Sequence, residues 1–433
     1  MFNPYNKEQS KEAFQISLLK NQLNFSSYLF HKKGVLIVVK KLAVYVFIIG
    51  LSFFLFPLFS QDETVLLNVK DYGAVGDGVS DDTKALQKAL QDGAGQIIYF
   101  PDGEYKITKE LHIKGQTEMY GTNAIIKASS ALKTVMRVKG SNIRIRNLTV
   151  DGNDTSLRGI TIEEGSSNVS IVKSTIKNFT QPNHRSLFRL TVSAIRIQGG
   201  TRNIILDHNK IENVMARNPV KGWGHFVARG ILISPAYKKQ AASKNIKISN
   251  STFKEIGPKD DGDAIVIQGF NDRVNLQILN NSFSYIYKRA IKIQSPGVLI
   301  KGNKIFNSFF QNNFYSTYSE EKEYDMWAGI SVYANDVTIS HNKIAGVGNY
   351  ARIIDVANAS DVHIIKNYLK NGGKGSCNHS SIIAITSNNS KRAIKNFTIL
   401  HNVLMNGRYG VYANSKIPGL KALNNEIINV KYH

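Results

Sequence analysis

Charged side chains recur at equivalent positions in short segments whose other positions alternate with apolar residues. They are Arg196, Arg229, Asp263, Arg289, Lys292, Arg352 and Asp355. The intervening loops add Trp223, His225 and the acidic run Asp260-Asp261-Gly262-Asp263. Arginine pairs with carboxylates through a planar fork, and aromatic rings pack on apolar ring faces. This composition therefore suits a sugar acid as the ligand.

Two of the carboxylates have the spacing that hydrolysis requires. Asp261 and Asp263 are two residues apart, which on a near-extended chain is about 7 Å. Inverting glycosidases place their two carboxyl groups roughly 6.5–9.5 Å apart. The pair could therefore serve an inverting hydrolase.

The segments that carry these residues belong to a unit that recurs along the chain. Residues 244–269 and 274–295 each contain a short strand, an Asn-containing turn, a second short strand, a loop and a third strand. Alternating apolar residues predict one buried and one exposed face for each strand. Asparagine tolerates the left-handed turn, and stacked copies can form a hydrogen-bonded ladder. The repeat predicts an all-β fold, a single-stranded right-handed parallel β-helix with three sheets.

The third strand of each unit can be aligned across nine copies. The copies begin at Arg158, Ser193, Arg229, Asp263, Arg289, Ala328, Arg352, Ser381 and Tyr409. Nine coils at about 4.8 Å each give a rod of about 40 Å. The longest insertions precede these strands, so we expect this sheet to carry the binding face.

The region before the repeats has a different pattern, over residues 66–106. A strand and a Gly-rich turn lead to a predicted helix capped by Ser80 or Asp81, and residues 96–105 form a strand ended by a Pro-Asp-Gly turn. This pair resembles the amino-terminal cap of the pectate lyase/polygalacturonase-like superfamily, which also includes C5-epimerases and phage tailspikes. The resemblance implies a parallel β-helix with an N-terminal helical cap, acting on a polysaccharide.

The resemblance also bears on the reaction. Where hydrolases of the superfamily carry adjacent Asp residues and then Gly-His-Gly, this chain has Gly262-Asp263 and Lys288-Arg289-Ala290. That departure disfavours hydrolysis of this type. Lyases of the superfamily use Lys or Arg as the base, with other basic groups and often calcium as neutraliser.

Elimination needs a base beside a uronate carboxylate and a cation that stabilises the enolate-like state. Lys292 is the candidate base, because we expect it to point outward and the charge of Arg289 would lower its pKa. Candidate substrate-binding residues are Arg196, Arg229, His225, Trp223 and Arg352. Asp260, Asp261 and Asp263 could hold a Ca²⁺ ion, although they form no complete metal motif. C5-epimerisation begins with the same proton abstraction.

The composition and the amino terminus restrict the partner and the location. The chain has 433 residues and a net charge of +23, which suits a polyanion. Lys40-Lys41 precedes an apolar run over residues 42–59, which is typical of a secretory signal with a true start at Val39. We therefore predict a leader over residues 1–60 and an exported domain over 61–433. The lone Cys377 excludes an internal disulfide framework.

These observations predict a secreted, periplasmic or cell-surface protein that acts on an acidic polysaccharide. Export argues against a nucleic acid partner, and membrane contact is expected only through the signal segment if it is uncleaved. The favoured reaction is β-elimination of a uronate-containing or sulfated polymer. The alternatives are an inverting hydrolase, a C5-epimerase and a non-catalytic glycan-binding solenoid.

Overall fold

A computed structural model describes the chain over residues 66–219, 226–258, 261–307, 326–348, 352–372, 381–388 and 394–432. The predicted leader and the start at Val39 lie outside these residues, as do Trp223, His225, Asp260 and Cys377. Residues Thr64–His433 form one compact unit. Within the described part, no helix is long and apolar enough to cross a membrane.

The strands form three parallel ladders, which we name sheets A, B and C. Sheet A contains Leu111–Lys114, Met136–Lys139, Arg158–Ile162, Val192–Ile197, Val227–Ile233, Asp261–Gln268, Arg289–Gln294, Ala328–Val332, Arg352–Ala357 and Ser381–Thr386. Sheet B contains Leu66–Asn68, Ile97–Phe100, Ser167–Val172, Arg202–Asp207, Lys244–Ser249, Leu276–Leu279, Val298–Lys301, Val337–Ser340, Val362–Ile365, Phe397–Leu400 and Leu420–Leu423. Sheet C contains Asp77–Asp81, Gly103–Ile107, Thr175–Phe179, Lys210–Met215, Thr252–Gly257, Ser282–Ile286, Lys304–Phe306, Lys343–Gly348, Tyr368–Gly372 and Glu426–Tyr432.

Three long strands each contribute to two sheets. Glu118–Ala128 and Ser141–Asp151 pass from sheet B into sheet C, and Val403–Ala413 passes from sheet C into sheet A. Because the chain visits each sheet once per turn and every sheet is parallel, the fold is a β-helix.

The register predicted for sheet A is confirmed. Asp263 lies opposite Arg229 on one side and Arg289 on the other, and Lys292 lies opposite Val266 and Ser331. Two additional rungs, Leu111–Lys114 and Met136–Lys139, precede the nine predicted ones. Sheet A is therefore longer than the repeat pattern indicated.

Apolar side chains at alternate positions fill the interior along the whole rod. In sheet A the inward column includes Ile195, Ile231, Ile265 and Ile291, each at most 1% exposed. In sheet C the rings of Phe253 and Phe283 stack with centroids 4.8 Å apart. This continuous burial of apolar surface is the main stabilising contribution of the array.

Asparagine plays two separate roles that the sequence motif had combined. The interior ladder contains Asn281, Asn303, Asn342, Asn367 and Asn402, in which each amide donates to the next carboxamide oxygen at 3.0–3.1 Å. The residue before each ladder position takes the left-handed conformation instead, for example Asn280 at φ 55° and His341 at φ 56°. A second, exposed ladder runs through Asn168, Asn203, Asn245 and Asn275.

The amino-terminal cap is only partly helical, which corrects the expectation of a helical cap. It has one α-helix, Thr83–Asp92, and a 3₁₀ turn, Val69–Tyr72, while its remaining elements are strands. Asp82 is the residue at the start of the helix, and its carboxylate accepts hydrogen bonds from Val75 and Gly76 in the preceding turn. Asp81, one of the two predicted caps, accepts the backbone N–H of Thr83 at 3.1 Å.

Sheet A departs from the predicted pattern of one buried and one exposed face. All six residues of Val192–Ile197 and of Ser381–Thr386 are buried, as are all five of Ala328–Val332. Strands of sheets B and C alternate as predicted, for example Leu276–Leu279. On these rungs the outward face of sheet A is covered, and charged residues buried there require partners.

Candidate functional site

Asp263 lies at the centre of a group of buried charges on the outward face of sheet A. Its carboxylate is fully buried, with Arg229 Nη1 3.3 Å from Oδ2 and Arg289 Nη1 3.3 Å from Oδ1. Both arginines come from the flanking strands and are themselves buried. The parallel register thus places one carboxylate between two arginines, and the two positive charges partly offset the cost of burying the carboxylate.

Asp261 lies at the start of the same strand and extends this group toward solvent. Its carboxylate pairs with Arg229, and its Oδ1 is 3.5 Å from Lys288 Nζ and 3.5 Å from Arg289 Nη1. Burial raises the pKa of Asp261, but the charges of Arg229 and Lys292 outweigh burial and lower it to about 2. Asp261 is therefore ionised at neutral pH.

Two lysines complete the group. Lys292 Nζ is 3.9 Å from both Asp261 Oδ1 and Asp263 Oδ2, and 13% of its side chain is exposed. Burial lowers the pKa of Lys292 and of Lys288, and the nearby carboxylates restore it only in part. For Lys292, burial is a larger cause than the charge of Arg289 on which the sequence prediction was based. We name these six residues the ion cluster: Arg229, Asp261, Asp263, Lys288, Arg289 and Lys292.

A second polar group adjoins the ion cluster on the next two rungs. Asp355 is buried and accepts hydrogen bonds from Tyr333 Oη at 3.0 Å, Ser331 Oγ at 3.3 Å and Trp327 Nε1 at 3.3 Å. Burial raises the pKa of Tyr333, and the charge of Asp355 adds to that effect. Three donors therefore hold the Asp355 carboxylate in place.

Trp327 connects the two groups. The guanidinium of Arg352 lies 4.9 Å from the centre of its ring and that of Arg289 lies 5.8 Å away. Arg352 also reaches Asp355, with 3.5 Å between Nη1 and Oδ1. The indole is therefore held between two cations, which fixes its position at the edge of the ion cluster.

Arg196 does not join the ion cluster. Its guanidinium donates to Ser234 Oγ at 2.8 Å and to the Pro235 carbonyl at 3.0 Å, just beyond the carboxyl end of the neighbouring strand. Arg229 instead reaches Asp261, at the opposite end. With Arg196 buried and bonded in this way, its predicted contact with a substrate carboxylate would require these bonds to break.

Lys288, Trp327 and Tyr333 were not among the predicted site residues. Lys288 and Trp327 occupy equivalent places just before their sheet A strands, and the Trp327 N–H donates to the Lys288 carbonyl at 2.9 Å. Tyr333 lies two residues after the outward Ser331. Extending the alternation by one position beyond each strand would have identified all three.

The ion cluster does not fit a Ca²⁺ ion. Asp261 and Asp263 already face four side-chain cations within 4.0 Å, and a divalent cation would have to displace some of them. Calcium prefers six to eight oxygen ligands. Across the described residues, no group of three or more His, Cys, Asp or Glu side chains has the arrangement of a metal site.

A known bacterial protein is similar in sequence to most of the chain. The chain is 23% identical over 431 residues to the plasmin and fibronectin-binding protein A of Streptococcus pneumoniae, and the match covers 85% of this chain but 58% of that protein. Thus the chain spans little more than half of the relative's length.

Solved structures show the same fold. The crystal structure of PfbA, a surface adhesin of Streptococcus pneumoniae, superposes with a TM-score of 0.64 at 20% identity, covering 85% of this chain and 92% of that one. The A-module of a mannuronan C-5 epimerase from Azotobacter vinelandii gives 0.57 at 17% identity, covering 85% and 99%. The profile of one family, described as rhamnogalacturonase A/epimerase, pectate lyase-like, matches residues 66–308, more than half of the chain. The chain therefore belongs to the rhamnogalacturonase A/epimerase, pectate lyase-like family.

Proposed function

We propose that this protein binds an acidic polysaccharide on sheet A, at the ion cluster, without hydrolysing it. The observation that carries the proposal is an imbalance of charge. Among the described residues, four cations, Arg229, Lys288, Arg289 and Lys292, surround two carboxylates, which leaves a net charge of +2 in a largely buried site. A uronate carboxylate or a sulfate would supply the missing negative charge.

The carboxylates are poorly suited to hydrolysis. An inverting glycosidase needs one carboxyl that stays protonated as the general acid. Asp261 has its pKa lowered to about 2, and Asp263 has no exposed surface from which to reach a glycosidic oxygen. These two carboxylates therefore disfavour the hydrolase alternative independently of any motif.

Relatives support a binding role at the cell surface. The relative that matches 85% of the chain is named for binding plasmin and fibronectin, and the superposed structure is described as a surface adhesin. Export through the predicted signal segment would bring this chain to the same location. We also expect the β-helix to be right-handed, the hand that parallel β-crossovers almost always adopt.

Proton abstraction from a uronate is the second candidate, and it comprises both β-elimination and C5-epimerisation. Lys292 favours it, because its pKa is lowered, its side chain is partly exposed and Arg289 lies beside it in the ion cluster. A lysine with a lowered pKa can act as a general base near neutral pH. Arg289 would then stabilise the developing enolate-like charge.

One panel of substrates tests both candidates. Uronic-acid, sulfated and neutral polysaccharides would be assayed for binding by calorimetry, for new double bonds by ultraviolet absorbance and for new reducing ends. Binding of acidic but not neutral polymers, with no absorbance or new ends, is the expected result. Absorbance rising together with new ends would replace binding by elimination, and failure to bind any acidic polymer would overturn the proposal.

Two variants localise the effect. Lys292→Ala should weaken binding, because it removes half of the excess charge of the ion cluster. Lys247→Ala, on an exposed position of sheet B, is the control with the same formal charge change. Equal binding by both variants would exclude the ion cluster as the site. A change in sugar configuration measured by NMR in the wild type, absent from Lys292→Ala, would identify an epimerase.

A further inference from the structure

The basic residues of sheets B and C differ in whether the register gives them an acidic partner. Near the amino terminus, the register supplies acidic partners. Three pairs illustrate this: Glu104 with Lys127, Glu118 with Arg146, and Asp151 with Lys177. These three partly buried basic residues are therefore neutralised within the protein.

Nearer the carboxyl terminus, five lysines at the corner of sheets B and C have no such partner. They are Lys301, Lys304, Lys343, Lys366 and Lys370, and we name them the basic strip. Four are exposed and Lys370 is partly exposed. Among the described residues, none of the five forms an ion pair, and the sheet B and sheet C strands between residues 298 and 372 contain no Asp or Glu.

The five lysines lie on three successive coils, and the register places one pair of them directly side by side. Lys304 lies directly opposite Lys343, which lies opposite Tyr368. Lys370 lies opposite Ala345, whose other neighbour is Phe306. Adjacent parallel strands are separated by about 4.8 Å, so the positive charges follow the axis of the rod.

This arrangement costs free energy in the unbound protein. Like charges directly opposite one another on neighbouring strands are destabilising. A polyanion bound along the corner would attract both Lys304 and Lys343, and its negative charges would offset the repulsion between them. Tyr368, which is 36% exposed, lies in the column of Lys304 and Lys343, and Phe306, which is 63% exposed, lies in the column of Lys370, so both present aromatic surface to such a ligand.

We propose that the basic strip is a second binding site for an acidic polysaccharide, separate from the ion cluster on sheet A. Because the lysines extend along the axis over three coils, the ligand is an extended polymer. Ring faces of sugars pack on aromatic side chains, and Phe306 and Tyr368 provide them. The choice of a sugar polymer over other polyanions rests on the proposed function.

A charge-reversal pair with a matched control tests the proposal. In Lys343→Glu/Lys366→Glu, one substitution lies at the start of a sheet C strand and the other at the left-handed turn that precedes the sheet C strand of a neighbouring coil. Lys210→Glu/Lys173→Glu changes the same two structural positions near the amino-terminal end, with the same change in net charge. Both pairs are exposed, so both variants are expected to fold.

Binding to polygalacturonate would be measured by calorimetry at low and high salt. We expect the strip variant to bind at least about tenfold more weakly at low salt, and the control to stay within about twofold of wild type. The difference should shrink at high salt, since exposed charges are screened. Equal weakening of both variants would show a general effect of net charge and overturn the strip.

Two further measurements separate this proposal from the proposed function. Combining the strip variant with Lys292→Ala should give additive losses if the two sites are independent. Binding of polygalacturonate that depends on Lys292 but is unaffected by the strip variant would overturn the strip alone and leave the proposed function standing. Anionic vesicles and a single-stranded oligonucleotide serve as alternative probes. Binding that depends on the strip but occurs only with one of these would overturn the choice of a polysaccharide.

Discussion

Sheets A and C are built from the same coils, yet their outward faces differ in how they hold charge. On sheet A, Asp263 and Arg229 are buried in contact with each other. On sheet C, Lys254 and Glu255 form a pair whose side chains are 49% and 46% exposed. The repeat specifies the inward residues of both sheets alike, whereas the surroundings of the outward residues decide what a charge contributes to stability.

The largest expected difference in stability between a buried and an exposed charge is at Asp263. Asp263→Asn keeps the shape but leaves Arg229 and Arg289 without their shared carboxylate, and breaking a buried ion pair costs about 3–5 kcal/mol. The matched substitution Asp336→Asn removes an exposed partner of Arg273, which should cost at most about 1 kcal/mol. Urea unfolding of both variants measures the difference. Similar losses of unfolding free energy at the two positions would show that water reaches the outward face of sheet A more than its burial indicates.

The two asparagine ladders give the next largest difference. Asn342 is fully buried, donates to the Ile300 carbonyl and to Asn367, and accepts from Asn303. Asn342→Ala leaves buried groups without partners, which should cost about 2–3 kcal/mol. On the exposed ladder, Asn245→Gly retains the left-handed conformation and should cost at most about 1 kcal/mol. The prediction fails if thermal unfolding finds the exposed position to be the more sensitive one.

Stability should also depend on pH through the ion cluster. The pKa of Asp261 is about 2 in the folded protein, below the value near 3.9 of an unfolded chain. The contribution is therefore complete above about pH 4 and is lost as the pH falls toward 2; it amounts to roughly 2 kcal/mol. Asp261→Asn should be less stable than wild type at pH 6 and converge with it near pH 2. A difference between the two proteins that is constant from pH 6 to pH 2 would contradict the assignment.

The sequence was sufficient to predict the register of sheet A, because isoleucines at alternate positions can face the interior in only one way. It missed the rungs Leu111–Lys114 and Met136–Lys139. The strand that follows each of them continues from sheet B into sheet C, with Asn123 or Asn147 in the left-handed conformation at the corner. Burial of the outward face of sheet A could not be predicted from alternation. That burial depends on contacts between segments distant in sequence.

The candidate site was likewise predicted only in part. Arg229, Asp263, Arg289 and Lys292 were predicted to share a face, and the register brings them together. Arg196 lies in the same outward column as Lys292, but its long side chain turns toward Ser234 and Pro235. Alternation fixes the direction in which a side chain leaves the strand. It does not fix the position of a guanidinium at the end of several rotatable bonds.

The smallest predicted effect concerns exposed charges and can have either sign. Arg137 lies between Glu110 and Glu163, so Arg137→Gln should destabilise the protein, by up to about 1 kcal/mol. Lys343 lies beside Lys304 instead, so Lys343→Gln should stabilise it by a few tenths of a kcal/mol, about 0.3. Unfolding in urea at low salt measures both changes, and added salt should diminish both.

The opposite signs would distinguish a structural charge from one retained for a ligand. If Lys343→Gln stabilises the protein while weakening its binding to polygalacturonate, then Lys343 destabilises the free protein and stabilises the complex. If the substitution destabilises the protein, or its effect is independent of salt, then Lys343 has a structural partner and is not held in unrelieved repulsion with Lys304. A charge that costs stability in the free protein and is needed for binding is what separates the basic strip from the paired charges at the amino-terminal end.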